Sequence, residues 1–222
     1  MQTEAPLTNA HPAASMRAPS RSASSLTVRR VPTAFLVVYA LLLALGLGLG
    51  SAYWAINGDP PFGSLRLGPW QAWPKLGSPE ADPYMRAILA RRGDIPLATG
   101  EGLGFTARTD SDGMPFDSAC TYAVGAVAPV ARVWTLTLYD GDGRLPVTEL
   151  GRRSFTSAEL LRDTQDRFSI VLSRTLQPGN WLQLPASGSF AIALRLYDPP
   201  GAAGANLEEV DFPVIQRLGC GS

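Results

Sequence analysis

The chain has 222 residues, with 19 Lys and Arg against 19 Asp and Glu, so its formal net charge is zero. That balance removes any general electrostatic argument for nucleic acid or for an anionic membrane surface, and no nucleic-acid partner is expected. Gly at 22 and Pro at 19 are high for a helical protein and fall between short apolar runs, the punctuation of a β domain.

Residues 1–33 are rich in Ala, Ser, Pro and Thr, show no apolar periodicity and carry the single histidine, His11. Such a segment buries too little surface to offset the entropy of ordering, so a disordered cytoplasmic tail is expected. The run Ala34–Ile56 holds no charged residue and has the length of a transmembrane helix. Arg17, Arg21, Arg29 and Arg30 precede it and no basic residue follows until Arg66. This asymmetry places the N-terminus in the cytoplasm and everything beyond about Asn57 in an extracytoplasmic, periplasmic space. A cleaved signal peptide, with Gly50-Ser51-Ala52 as a small-residue site, is the competing reading; the longer apolar run and the tail before it favour an uncleaved anchor.

Residues 57–69 read as a Pro/Gly-rich linker and 70–222 as the extracytoplasmic β-rich domain. Trp70 and Trp73 need an apolar surface to lie on, either the domain or lipid headgroups. One helix is marked in ADPYMRAILARRGD: Asp82 suits the N-cap, Pro83 the first turn and Gly93 the left-handed residue beyond the end. Arg91 and Arg92 complement the helix dipole, and Tyr84, Ala87 and Ile88 share the expected covered face.

Short strands are expected at Ile95–Leu97, Gly104–Thr109, Thr121–Val124, Arg132–Tyr139, Arg153–Phe155, Phe168–Leu172, Trp181–Leu184, Phe190–Tyr197 and Val210–Ile215. Trp134, Leu136 and Leu138, and Phe190, Ile192, Leu194 and Leu196, alternate with the other face and should enter the core. Ser157–Arg162 suggests a helical turn or two. The fold class is therefore mainly β, an antiparallel β-sandwich or jelly-roll-like domain with one short amphipathic helix, preceded by a single transmembrane helix. Cys120 and Cys220 both follow the span. An even pair on an oxidising side is expected to form a disulfide, two buried thiols being the alternative.

VWTLTLYDGDGRL (Val133–Leu145) and PGNWLQLPASGSFAIALRLYDP (Pro178–Pro199) resemble the family known as domain of unknown function 1214. The motifs carrying the resemblance are Trp134–Asp140, Asn180–Leu182 and Leu194–Tyr197, over roughly residues 100–217. Val133 stands where an aromatic residue is usual and Gln183 where Pro is. The resemblance implies a β-rich domain and brings no reaction, substrate or cofactor with it.

Asp110-Ser111-Asp112-Gly113 and Asp140-Gly141-Asp142-Gly143 suggest calcium, but the twelfth positions are Thr121 and Gly151 rather than Glu, and Asp-Gly between alternating strands is a strong hairpin signal. No metal site is therefore expected. With no histidine beyond the tail, Ser-His-Asp and Cys-His catalysis and His-ligated metals are excluded. No catalytic residue and no cofactor are assigned. The candidate ligand-binding residues are Tyr139, Asp140, Arg195, Tyr197, Asp198 and Trp181. Arg195 sits mid-strand on the polar face and needs a partner. Tyr139-Asp140 and Tyr197-Asp198 would form one aromatic platform if their strand ends met. The reading is an envelope protein, membrane-anchored by a single span, whose sandwich binds a partner protein or a small-molecule or carbohydrate ligand. A carboxylate-dependent hydrolase or carbohydrate-modifying enzyme is the alternative.

Overall fold

The computed structural model describes residues 32–60, 62–93, 95–98, 100–126, 128–199 and 211–221. The chain divides into two compact units, Met1–Gly46 and Leu47–Ser222. Of the expected tail only Pro32 and Thr33 are among the described residues. The helix α1 (Thr33–Asn57) contains an 18-residue stretch of mean hydropathy 2.2 and has no buried residue. At 25 residues it is about 37 Å long at the helical rise, more than the ~30 Å hydrocarbon core. It is a candidate membrane span, an anchor or a signal sequence.

The second unit is mainly β. A six-stranded sheet runs β1 (Leu65–Leu67), β2 (Trp70–Ala72), β3 (Gly102–Ala107), β9 (Phe190–Tyr197), β5 (Val133–Asp140), β6 (Ser154–Thr156). A four-stranded sheet runs β10 (Val214–Cys220), β4 (Cys120–Ala126), β7 (Phe168–Ser173), β8 (Asn180–Gln183). The two sheets share one core in a sandwich-like arrangement. Trp134, Leu136, Leu138, Ile192 and Leu194 come from the first sheet, and Tyr122, Val124, Ile170, Leu172 and Ile215 from the second. Both alternating sets expected in the core are buried. Inward-pointing alternate residues of two facing sheets are what a sandwich core requires.

Several expectations need correction. Residues 95–98 form no strand: Pro96 lacks the N–H a ladder needs, and Ile95 is 92% exposed. The last strand starts at Val214, after Pro213, and continues to Cys220. Ser157–Arg162 forms no helix: residues 157–159 turn, Ser157 N–H donates to the Trp134 carbonyl at 2.9 Å, and Arg162 bridges to Phe168. The sandwich is not wholly antiparallel, because β7 and β8 pair in parallel. Residues 174–179 return the chain between them; six residues reach about 20 Å, enough to retrace a four-residue strand. β1 lies within the expected linker, paired with β2 across the Gly68–Pro69 turn, with Gly68 at φ +59°.

The helix α2 (Pro83–Arg92) is capped as expected. Asp82 accepts from Tyr84 N–H at 2.9 Å and Met85 N–H at 3.1 Å, and Gly93 is left-handed at φ +69°. Its covered face is Met85 and Ile88; Tyr84 and Ala87 are exposed. Trp70 and Trp73 pack into the protein, their indole N–H groups donating to the carbonyls of Pro213 at 2.8 Å and Pro60 at 3.0 Å. Cys120 and Cys220 are joined, directly opposite each other across the β4–β10 ladder.

Three loops share one device. Asp110, Asp140 and Asp163 each accept two backbone N–H groups, from the residues two and four positions on. The position three residues on is left-handed each time: Gly113, Gly143 and Asp166. Such side-chain hydrogen bonds to the following backbone stabilise a turn without a metal. No group of three metal-ligating acids, cysteines or histidines occurs among the described residues. At Asp163 the backbone N–H of Arg167, together with its guanidinium, holds the carboxyl below the usual aspartate value.

Candidate functional site

The two sheets leave a cleft of about 370 Å³ between their edge strands β6 and β8. β8 places Asn180 and Leu182 inward and turns Trp181 and Gln183 outward, the alternation a half-buried strand requires. Trp181 is fixed by its indole N–H, 3.2 Å from the Ser173 carbonyl and 3.1 Å from the Ser173 hydroxyl. Leu150, Leu161 and Leu176 also line the cleft, at 67, 68 and 75% exposure. Three leucines at that exposure thus stand around one depression.

Polar groups interrupt this lining at defined places. Buried Asn180 binds the loop carrying Leu161: its amide donates to the Leu161 carbonyl and its oxygen accepts from Leu161 N–H, both at 2.8 Å. Gln183 accepts from Glu149 N–H at 3.0 Å. Arg152 lies over the ring of Phe155, 4.8 Å from its centroid. Glu159 accepts from Thr156 N–H at 3.2 Å and faces Arg152 at 3.8 Å. The lining is thus mixed, with apolar side chains beside oriented polar groups, a make-up that can take an amphiphilic ligand.

Of the six candidate ligand-binding residues, Trp181 alone lines this cleft. Arg195 is on the outward face of the six-stranded sheet, between Gly104 and Thr135, and donates to the Tyr139 hydroxyl at 3.1 Å. Tyr139 and Tyr197 do not meet. β5 and β9 are antiparallel, with Tyr139 opposite Ala191 and Tyr197 opposite Val133, so the two ends are on the order of 20 Å apart. Asp140 is occupied by its turn, and Asp198, left-handed at φ +48°, faces Arg132 at 3.6 Å on the surface. Leu150, Leu161 and Leu176 were not anticipated. Leu150 and Leu176 are lone leucines among polar loop residues and Leu161 follows the buried Leu160, signals that periodicity does not detect.

The fold and the cleft can now be set beside known proteins. Residues 101–201 match the family described as a protein of unknown function, DUF1214. The resemblance read from the strand motifs is thus borne out, and the DUF1214 segment contains β3 to β9 with both walls of the cleft. No curated protein matches the chain. The VPA0106 protein of Vibrio parahaemolyticus is similar in structure, at 23% identity and a TM-score of 0.51, over 63% of this chain and 36% of that one. An uncharacterised protein of Burkholderia cenocepacia aligns at 16% identity and a TM-score of 0.39, over 81% of this chain and 52% of that one. The chain spans about a third to a half of these proteins, and the first likeness concerns the fold alone.

Proposed function

We propose that the protein is a membrane-anchored binding module whose extracytoplasmic sandwich, residues 70–222, takes an amphiphilic ligand or partner segment in the cleft between β6 and β8. The observation that carries this reading is Trp181 beside three exposed leucines, with Gln177, Gln183 and Arg152 at the margin. An aromatic face with flanking amides suits a sugar ring or an apolar peptide side chain. A two-carboxylate hydrolase is less well supported, because Glu159 is the one carboxylate in the lining and it is tied to Thr156 and Arg152.

The test is a panel of oligosaccharides and amphipathic peptides titrated against the full chain, comparing wild type with Trp181→Ala and Leu161→Ser. A ligand of this cleft should bind about tenfold or more weakly to Trp181→Ala, as at a typical aromatic hot spot. Leu161→Ser, at an exposed position, should weaken binding without lowering the melting temperature. A ligand whose affinity both variants leave unchanged would place its site elsewhere.

A further inference from the structure

We infer that a small basic cavity at the β1–β2 hairpin binds the phosphate of an anionic phospholipid. The cavity, about 170 Å³, is lined by Arg66, Gln71, Thr106, Arg108 and Thr109 around the Gly68–Pro69 turn. Arg66, Gln71 and Thr106 are directly opposite one another on three adjacent strands. They occupy the face away from the core, since the neighbouring row of Trp70 and Ala107 is buried. A guanidinium, an amide and a hydroxyl thus converge within one row, and forked arginine donors match phosphate oxygens.

The cavity's place in the chain selects a lipid over a soluble anion. Asp59, two residues beyond the end of α1, is 3.1 Å from Arg108 and 3.1 Å from Arg92, and Arg92 also donates to the Gly58 carbonyl at 2.8 Å. Arg92 and Arg108 share the one Asp59 carboxylate and Arg66 adds a third guanidinium in the lining, so a net positive charge remains. Two residues span at most about 7 Å, comparable to the ~5–7 Å depth of one headgroup layer. Arginine stems carry the charge further toward that layer. The assignment rests on α1 spanning the bilayer, and it is independent of the cleft at β6 and β8.

Native mass spectrometry of the detergent-solubilised full chain tests it, with phosphatidylglycerol, phosphatidylcholine and inorganic phosphate as probes. Phosphatidylglycerol should bind in preference to phosphatidylcholine. Binding should weaken about fivefold in Arg66→Gln and about 25-fold in the double variant with Arg108→Gln, taking the usual contribution of one cation at an anionic surface. Arg66 makes no contact with Asp59 among the described residues, so its replacement leaves that cluster in place. Equal binding of the two lipids, or affinity unchanged in both variants, would overturn the site. Phosphate binding as tightly as phosphatidylglycerol would assign the cavity to a soluble anion and overturn it as well. Carbonate extraction of membranes reads the anchor separately: a released chain would remove the span and this assignment with it.

Discussion

Asp110 and Asp140 head the same turn and differ in what surrounds them. Each accepts two backbone N–H groups at 2.8–3.2 Å. Asp110 is 1% exposed, with Arg217 3.0 Å from its second oxygen; Asp140 lies at the surface end of β5. Arg217 also lies 5.3 Å from the Tyr122 ring centroid and donates to the Pro115 carbonyl at 2.7 Å, so its position depends on several contacts at once. Arg217 is partly exposed, so losing Asp110 removes charge-assisted contacts at a cost of about 2 kcal/mol, whereas losing exposed turn hydrogen bonds costs about 1 kcal/mol. Asp110→Ala should therefore lower the denaturant midpoint well beyond Asp140→Ala. Equal losses would mean that the turn geometry, and not the ion pair, sets the contribution.

β10 is an edge strand held at both ends. Ser111 exchanges hydrogen bonds with Ile215 at 2.9 Å in each direction, and the disulfide closes the other end at Cys220. Between them Leu218 is exposed, so packing contributes little there. Without the bridge the last residues should fray, since a bond closing a separation of 100 residues restricts the unfolded chain strongly. Cys220→Ser should cost ~2–5 kcal/mol and move the first proteolytic cuts to the C-terminal strand. Two reactive thiols in the unfolded, unreduced wild-type chain would refute the pairing. Elements were legible in sequence where burial imposes a period: Trp134, Leu136 and Leu138 alternate because each second residue must enter the core. The β1–β2 hairpin carried its own signal in Gly68-Pro69 between Leu-Arg-Leu and Trp-Gln-Ala, but prolines nearby made the stretch read as linker. On α2 the period was right and the phase wrong, because which arc of a short helix is covered depends on Trp73 and Leu76 beneath it. The cleft was least legible. Its leucines come from three separate loops, brought together only by the edge positions of β6 and β8.

At the scale of the whole molecule, the proposed topology joins two facts that arise far apart in the chain. Arg17, Arg21, Arg29 and Arg30 precede α1, and retention of arginine on the cytoplasmic side would leave the β-rich part of the second unit outside. The Cys120–Cys220 bridge belongs to that unit, and such bonds persist in oxidising spaces. Charge bias and redox chemistry therefore favour the same side independently. A reporter active only outside the cytoplasm, fused to the C-terminus, should give its signal in the membrane fraction. Replacing the four arginines with Gln should remove the bias and divide the population between orientations, lowering that signal at constant protein level. Full activity in the soluble envelope fraction, with the first residues lost, would instead make α1 a cleaved signal sequence. Activity from a cytoplasmic reporter at the same position would reverse the topology and leave the disulfide without an oxidising compartment.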